Sequence, residues 1–299
     1  MFINGAISQL RTFNARFFVR PKSVWILALS LLLLAGCSTR FMYNQLEWLI
    51  VWRVNGIVEL TDEQKQTLKE SFRDQLYVVR KQEFPKIAGE IRRFASEVEA
   101  GEITPGHSEE GYQRMELVME GLILDFIPLT ADFLQSLDGE QLDELAESFE
   151  GMNQEMYDEY SGATSEEREK NRNKSALKMI RRFKGRISDS QKVIITDSLA
   201  KMEDASEEWI NYQRDWQKRF LDLLDAGVSE AEFIEQLTQL FVYPRNFHSA
   251  EYRARVDANR QIFNRGFSEF LASLTEKQNK RAVAELNDYA DLLTKLADK

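Results

Sequence analysis

Apolar residues return every three or four positions along most of this chain. Leu68, Phe72, Leu76 and Val79 form one such series. Leu117, Leu124, Ile127 and Leu134 form a second, and Ile262, Phe263, Phe267, Phe270 and Leu274 a third. That period predicts amphipathic helices, each burying one stripe. Few windows alternate apolar and polar residues as a strand would. Punctuation agrees. Thr61, Asp138, Ser188 and Thr275 are N-cap residues, whose oxygens accept bonds from the first free helix N–H groups. Gln64, Gln141, Gln191 and Gln278 follow three residues later and complete capping boxes. Glu99-Ala100-Gly101 and Asp225-Ala226-Gly227 read as stops. Pro85 is expected to start or kink a helix after Phe84, and Pro128 to bend one. Tyr243-Pro244-Arg245-Asn246 and Ser161-Gly162-Ala163-Thr164 read as connections.

The punctuation repeats. Phe133-Leu134-Gln135-Ser136-Leu137-Asp138-Gly139-Glu140-Gln141 matches Phe270-Leu271-Ala272-Ser273-Leu274-Thr275-Glu276-Lys277-Gln278. Shorter copies stand at Leu60–Gln64 and Ile187–Gln191. The order motif, helices, stop, helix, motif, final helix occurs twice, which predicts a tandem duplication. The expected fold is all-α: an elongated helical bundle built from two tandem related helical halves. Repeat 1 would span 60–160 and repeat 2 would span 187–299, with a basic connecting helix at 161–186.

The first 36 residues break the pattern. Arg11, Arg16, Arg20 and Lys22 precede an apolar run of eleven residues, Val24 to Leu34, and no acid occurs among them. A transmembrane helix needs about 20 apolar residues. A basic segment, a short apolar core and small residues are instead the parts of a secretory signal. Leu34-Ala35-Gly36-Cys37 resembles the lipobox of bacterial lipoproteins, in which the thiol is acylated and becomes the first mature residue. The resemblance implies a signal peptide over 1–36 and lipidation, such as palmitate, at Cys37. Ser38 follows the cysteine, where aspartate tends to mark inner-membrane lipoproteins of enteric-type bacteria. Serine implies the outer membrane, with the body facing the periplasm.

Charge then narrows the partners. The chain has 39 basic and 49 acidic residues, and four of the basic ones lie in the signal, so the remainder would carry a net charge of −14. Such a body is a poor partner for nucleic acid. Cys37 is the only cysteine, so no disulfide can form and stability must come from the core. His107 and His248 are the only histidines, and neither has a ligand neighbour at zinc spacing. No nucleophile elbow, phosphate loop or His-Glu-x-x-His motif occurs. No catalytic residue, metal or cofactor is expected, and the chain reads as a protein other than an enzyme. Acid pairs such as Glu109-Glu110 and Glu207-Glu208 are expected to be solvated helix faces, and Trp209, Ile210, Tyr212 and Trp216 to be core.

Two segments could carry function. In the lipidated N-terminus, 37–59, Phe41, Tyr43, Trp48 and Trp52 lie a few positions from Cys37. Trp and Tyr favour membrane interfaces, so these side chains either lie on the bilayer or pack into the bundle. Between Arg168 and Arg186, Glu169 is the only acid among nine basic residues. Lys174, Lys178, Arg181 and Arg182 are the candidate docking residues there, for lipid phosphate, cell-wall carboxylate or an acidic partner. The alternative is a solvated face paired with the chain's own acids.

Cys37-Ser38-Thr39-Arg40-Phe41-Met42-Tyr43-Asn44-Gln45-Leu46-Glu47-Trp48-Leu49 resembles the mature start of an uncharacterised family of proteobacterial helical lipoproteins. Its members share a Tyr-Asn-x-Leu-acid-Trp-Leu run followed by a Leu-x-x-x-Gln helix start. Leu60–Gln64 and Leu274–Gln278 also resemble the Leu-Thr-x-x-Gln signature of Spy-type periplasmic chaperones, which hold clients on a helical surface. Together these imply an outer-membrane lipoprotein acting as an envelope binding, adaptor or chaperone-like protein. Its partners would be the membrane, through the lipid, and a periplasmic protein client. A purely structural lipoprotein is the alternative, and an enzyme acting on cell wall or lipid a distant one.

Overall fold

The computed structural model describes residues 45–184 and 187–298, leaving out the side chains of 179 and 181–184. Among the described residues the protein is all-α, with ten α-helices, one short 3-10 helix and no strand. The helices are α1 (Leu46–Asn55), α2 (Asp62–Ala100), α3 (Pro105–Gln135), α4 (Gly139–Ser161) and α5 (Ser165–Lys184). They continue as α6 (Asp189–Ala200), α7 (Ser206–Asp225), α8 (Glu230–Val242), the 3-10 helix Pro244–Phe247, α9 (Ala250–Ala272) and α10 (Glu276–Ala297).

All four expected capping boxes form. Asp138, Ser188 and Thr275 each accept from the backbone N–H of the glutamine three residues on, and that glutamine's Oε1 accepts from the cap N–H. Thr61 and Gln64 make the same two bonds, at 3.2 and 3.0 Å. The stops also form. Gly101 and Gly227 are the only described residues with positive φ, at 70° and 59°. At Gly101 the N–H groups of Gly101 and Glu102 reach back to Val98 and Glu97, a Schellman end that a side-chain-free residue allows.

Both prolines lie within helices, so Pro85 does not start one. Pro85 lies inside the 39-residue α2 and Pro128 inside the 31-residue α3. Neither starts or ends a helix. Each removes one N–H from its ladder, and burial of the neighbours Phe84, Ile87 and Ile127 holds the helix through it.

Contacts divide the chain into two compact units. The first contains the described residues 45–73 and Asp132–Gly162. Its buried residues include Val58, Leu60, Leu68, Leu145 and Phe149. Here Gln64 and Gln141 bond amide to amide in both directions at 2.8 Å. Gln64 also donates to the carbonyl of Ser136, and Gln141 to that of Glu59.

The second unit contains Asp74–Ala131 and Ala163–Lys299. One core cluster joins Ala95 and Val98 of α2 to Ala282 and Val283 of α10. Another packs Ile187, Ile195 of α6 and Phe270 of α9 against Leu177 and Ile180 of α5. Helices α6 and α9 approach so closely that a Cβ on Gly266 would overlap the Ser198 side chain. In α7, Ile210 and Tyr212 are buried, and the Trp216 indole donates to the Leu240 carbonyl at 2.9 Å. The Trp209 to Trp216 stretch thus contributes to the core, as its spacing implied. Gln191 and Gln278 repeat the amide pair, at 3.0 and 3.1 Å, and Gln191 donates to the carbonyl of Ser273.

Candidate functional site

Cys37, Phe41 and Tyr43, with the expected signal over 1–36, lie outside the described residues. The aromatic segment enters the structure at α1, in the first unit. Its exposed positions are Gln45, Trp48, Leu49, Trp52 and Gly56, the 3- and 4-residue steps of a single helix face. Trp48 is 59 % exposed, Leu49 37 % and Trp52 42 %. The two indoles stack, with centroids 6.0 Å apart and planes 16° from parallel. No residue of α1 is buried. Neither indole is buried among the described residues. The charged positions turn the other way. Glu47 and Arg53 are half-buried, and burial pulls the Arg53 guanidinium below its ordinary range.

The basic helix is α5, in the second unit. It packs on α6 and α10, and its block of positive charge divides in two. Arg168 holds Asp204 at 2.8 Å and donates to the Ala163 carbonyl. Burial pushes Asp204 up, but hydrogen bonds from Ser206 and Arg168 outweigh that and hold it below the usual carboxylate range. Arg168 is thus a structural tie. Lys174 and Lys178 instead stand exposed one turn apart, and neither makes an ion pair or hydrogen bond among the described residues. The side chains of Arg181 and Arg182 lie outside the described residues.

The acid pairs are a correction. Glu109 accepts from Asn264 at 2.7 Å and faces Arg260 at 3.3 Å. Arg260 in turn meets Asp257 at 3.3 Å, and Arg245 forks onto Asp257 at 2.8 and 3.0 Å. Glu208 binds Arg255 at 2.6 Å. Adjacent helical residues point about 100° apart, so one acid of each pair faces the protein while Glu110 and Glu207 face water. A groove of about 490 Å³ runs beside this network, lined in part by Glu109, Arg260 and Asn264. Its lining holds one acid, Glu109, and two arginines, Arg260 and Arg265, of which Arg260 pairs with Glu109.

Sequence reasoning missed a second acidic feature, in the α2–α3 part of the same unit. Glu83 is 4 % exposed and bonds Lys86 at 2.6 Å. Asp125 lies near enough to feel its charge. Burial first, then the Glu83 carboxylate, pushes Asp125 above the usual carboxylate range, with Lys86 pulling the other way. The Lys86 ammonium is raised by its bond to Glu83. Asp125 Oδ2 is buried with no hydrogen-bond partner among the described residues. A signal existed: Asp125 is an acid set between Leu124 and Phe126, inside an apolar run. The histidines are structural. His107 caps the start of α3 with Thr104 and the Glu102 carbonyl, and His248 packs between Tyr212 and Tyr252.

What these features define is a helical, acidic protein with an outward aromatic helix and an outward lysine pair. Residues 56–253 match the model of a family of unknown function (DUF6279), and the chain belongs to that family. No curated protein and no solved structure matches it.

Proposed function

We propose that this chain is a lipid-anchored protein of the outer membrane whose helical body faces the periplasm and binds an anionic partner, in an adaptor or chaperone-like role. The anchor rests on Leu34-Ala35-Gly36-Cys37 and the basic, then apolar, segment before it. The binding role is carried by Lys174 and Lys178, two exposed cations without an ion partner among the described residues, on a chain rich in acid. Charges left unpaired on such a body attract an opposite surface and set its orientation. The body itself reads as two related halves, 60–160 and 187–299, each with its own glutamine pair. The reading assigns no catalytic step.

Two measurements test it. Cells fed labelled palmitate should label the wild type and not Cys37→Ala, and the variant should leave the outer-membrane fraction. An unlabelled wild type sinks the anchor. A photo-cross-linker at position 174 or 178 should give a discrete adduct that Lys→Glu at the other position weakens. A cross-linker that captures nothing in intact cells sinks the docking role.

A further inference from the structure

We propose that α1 lies flat in the headgroup region of the bilayer, with Trp48, Leu49 and Trp52 as its lipid-facing stripe. The inference rests on acylation at Cys37. Three observations carry it.

First, the exposed side of α1 carries no charge. A helix on a water-facing body puts charge outward and apolar groups inward. Here the outward stripe is Gln45, Trp48, Leu49, Trp52 and Gly56, without a charge, while Glu47 and Arg53 are half-buried beside Leu46, Ile50, Val51 and Val54. Second, the stripe is of the right chemistry. Trp is the residue that accumulates at membrane interfaces, its ring in the acyl boundary and its N–H among headgroups. Two stacked indoles and a leucine, all more than a third exposed, form one continuous apolar face. Third, the tether is short. Eight residues separate Cys37 from Leu46. At roughly 3.3–3.6 Å per residue, α1 starts within about 30 Å of the acylated sulfur even if those residues are fully extended.

Crossing is excluded by length. Helix α1 has ten residues, about 15 Å at 1.5 Å per residue, half the hydrocarbon thickness. No described helix is long and apolar enough to span a membrane. Lying in the interface is what remains for a short helix with an aromatic face. It also supplies a second point of attachment, which a single acyl chain needs for stable anchoring.

The test uses the full-length protein, matured in cells, purified from membranes and returned to vesicles of phosphatidylethanolamine and phosphatidylglycerol. Acylation leaves Cys37 without a free thiol, so Trp48→Cys and, separately, Trp52→Cys each offer one site for a nitroxide. Glu230→Cys, at an exposed position away from the lysine pair, is the water-facing control. Labels at 48 and 52 should collide several-fold more with lipid-soluble oxygen than with a water-soluble nickel complex, and the label at 230 should do the reverse. A label at 48 and 52 as open to nickel as that at 230 overturns the proposal. So does one shielded from both agents, which would mean a second protein surface covers α1. If the wild-type protein itself takes up nitroxide, Cys37 is not acylated, and the anchor fails along with this inference. Labels that report water on a demonstrably acylated protein defeat only this inference.

Discussion

Gln191 and Gln278, 87 positions apart, hold each other by two amide hydrogen bonds while each also completes the capping box of its own helix. Gln191 is 2 % exposed, so its lost partners could not turn to water. Gln191→Ala should destabilise the protein by about 1–3 kcal/mol, the cost of buried groups left unsatisfied. The same change at Gln278 should not add fully, because both variants break one pair. A double-mutant cycle by urea unfolding should give a coupling of at least about 0.5 kcal/mol. Strict additivity would show that the glutamines act only as separate caps.

Gly266 is set by space. An added methyl meets both the hydroxyl and the Cβ of Ser198, which forces α6 and α9 apart. Gly266→Ala should cost about 1–3 kcal/mol despite the better helix propensity of alanine. Ser198→Gly should recover part of that loss in the double variant. A thermal melt in which Gly266→Ala is neutral or stabilising contradicts the close approach.

Asp125 links stability to pH. Its pKa is raised in the folded state, so its carboxylate is disfavoured there. The associated stability is fully present below the unfolded value, about 3.9, and is lost as pH rises through the folded one. Asp125→Asn should therefore raise Tm at pH 7 and change it little near pH 4. Melts across that range give the difference directly. A gap that widens as pH falls has the wrong sign and removes the Glu83–Asp125 interaction from the account.

The lysine pair separates docking from folding. Lys174→Glu with Lys178→Glu should shift stability by less than about 1 kcal/mol, since both side chains are solvated. Any partner binding should weaken in a salt-dependent way, because exposed charges are screened beyond about 10 Å at 0.1 M salt. Arg168→Ala is the contrast. It leaves Asp204 without its ion partner and should lower the melting temperature more than the double reversal. Unfolding by the lysine reversals would make α5 a structural element alone.

Helix starts were the most legible part of the sequence. Thr61, Asp138, Ser188 and Thr275 cap as expected because a capping box is a local device whose partners lie three residues apart. The stops at Gly101 and Gly227 were legible for the same reason. The reciprocal bonding of Gln64 to Gln141 and of Gln191 to Gln278 was not, because repetition of a motif does not say which copies meet. At Pro85 the helix start, one of the two outcomes expected, does not form. The local cost of a proline is fixed, whereas the packing of Phe84 and Ile127 that overrides it is tertiary. Glu109 and Glu208 read as solvated because their partners Arg260 and Arg255 lie far along the chain. The outward turn of Trp48 and Trp52 was left open, since a period-3.6 pattern shows that a helix has an apolar face and not what that face meets.

The stacked indoles of α1 also make the protein report on itself. Two rings 6.0 Å apart and nearly parallel couple their electronic transitions, so α1 should contribute an exciton couplet to the far-ultraviolet dichroism. Substituting either ring abolishes the couplet while leaving the signal of the other described helices intact. The couplet thus gives an optical readout of α1 that needs no label and can be followed as vesicles are added.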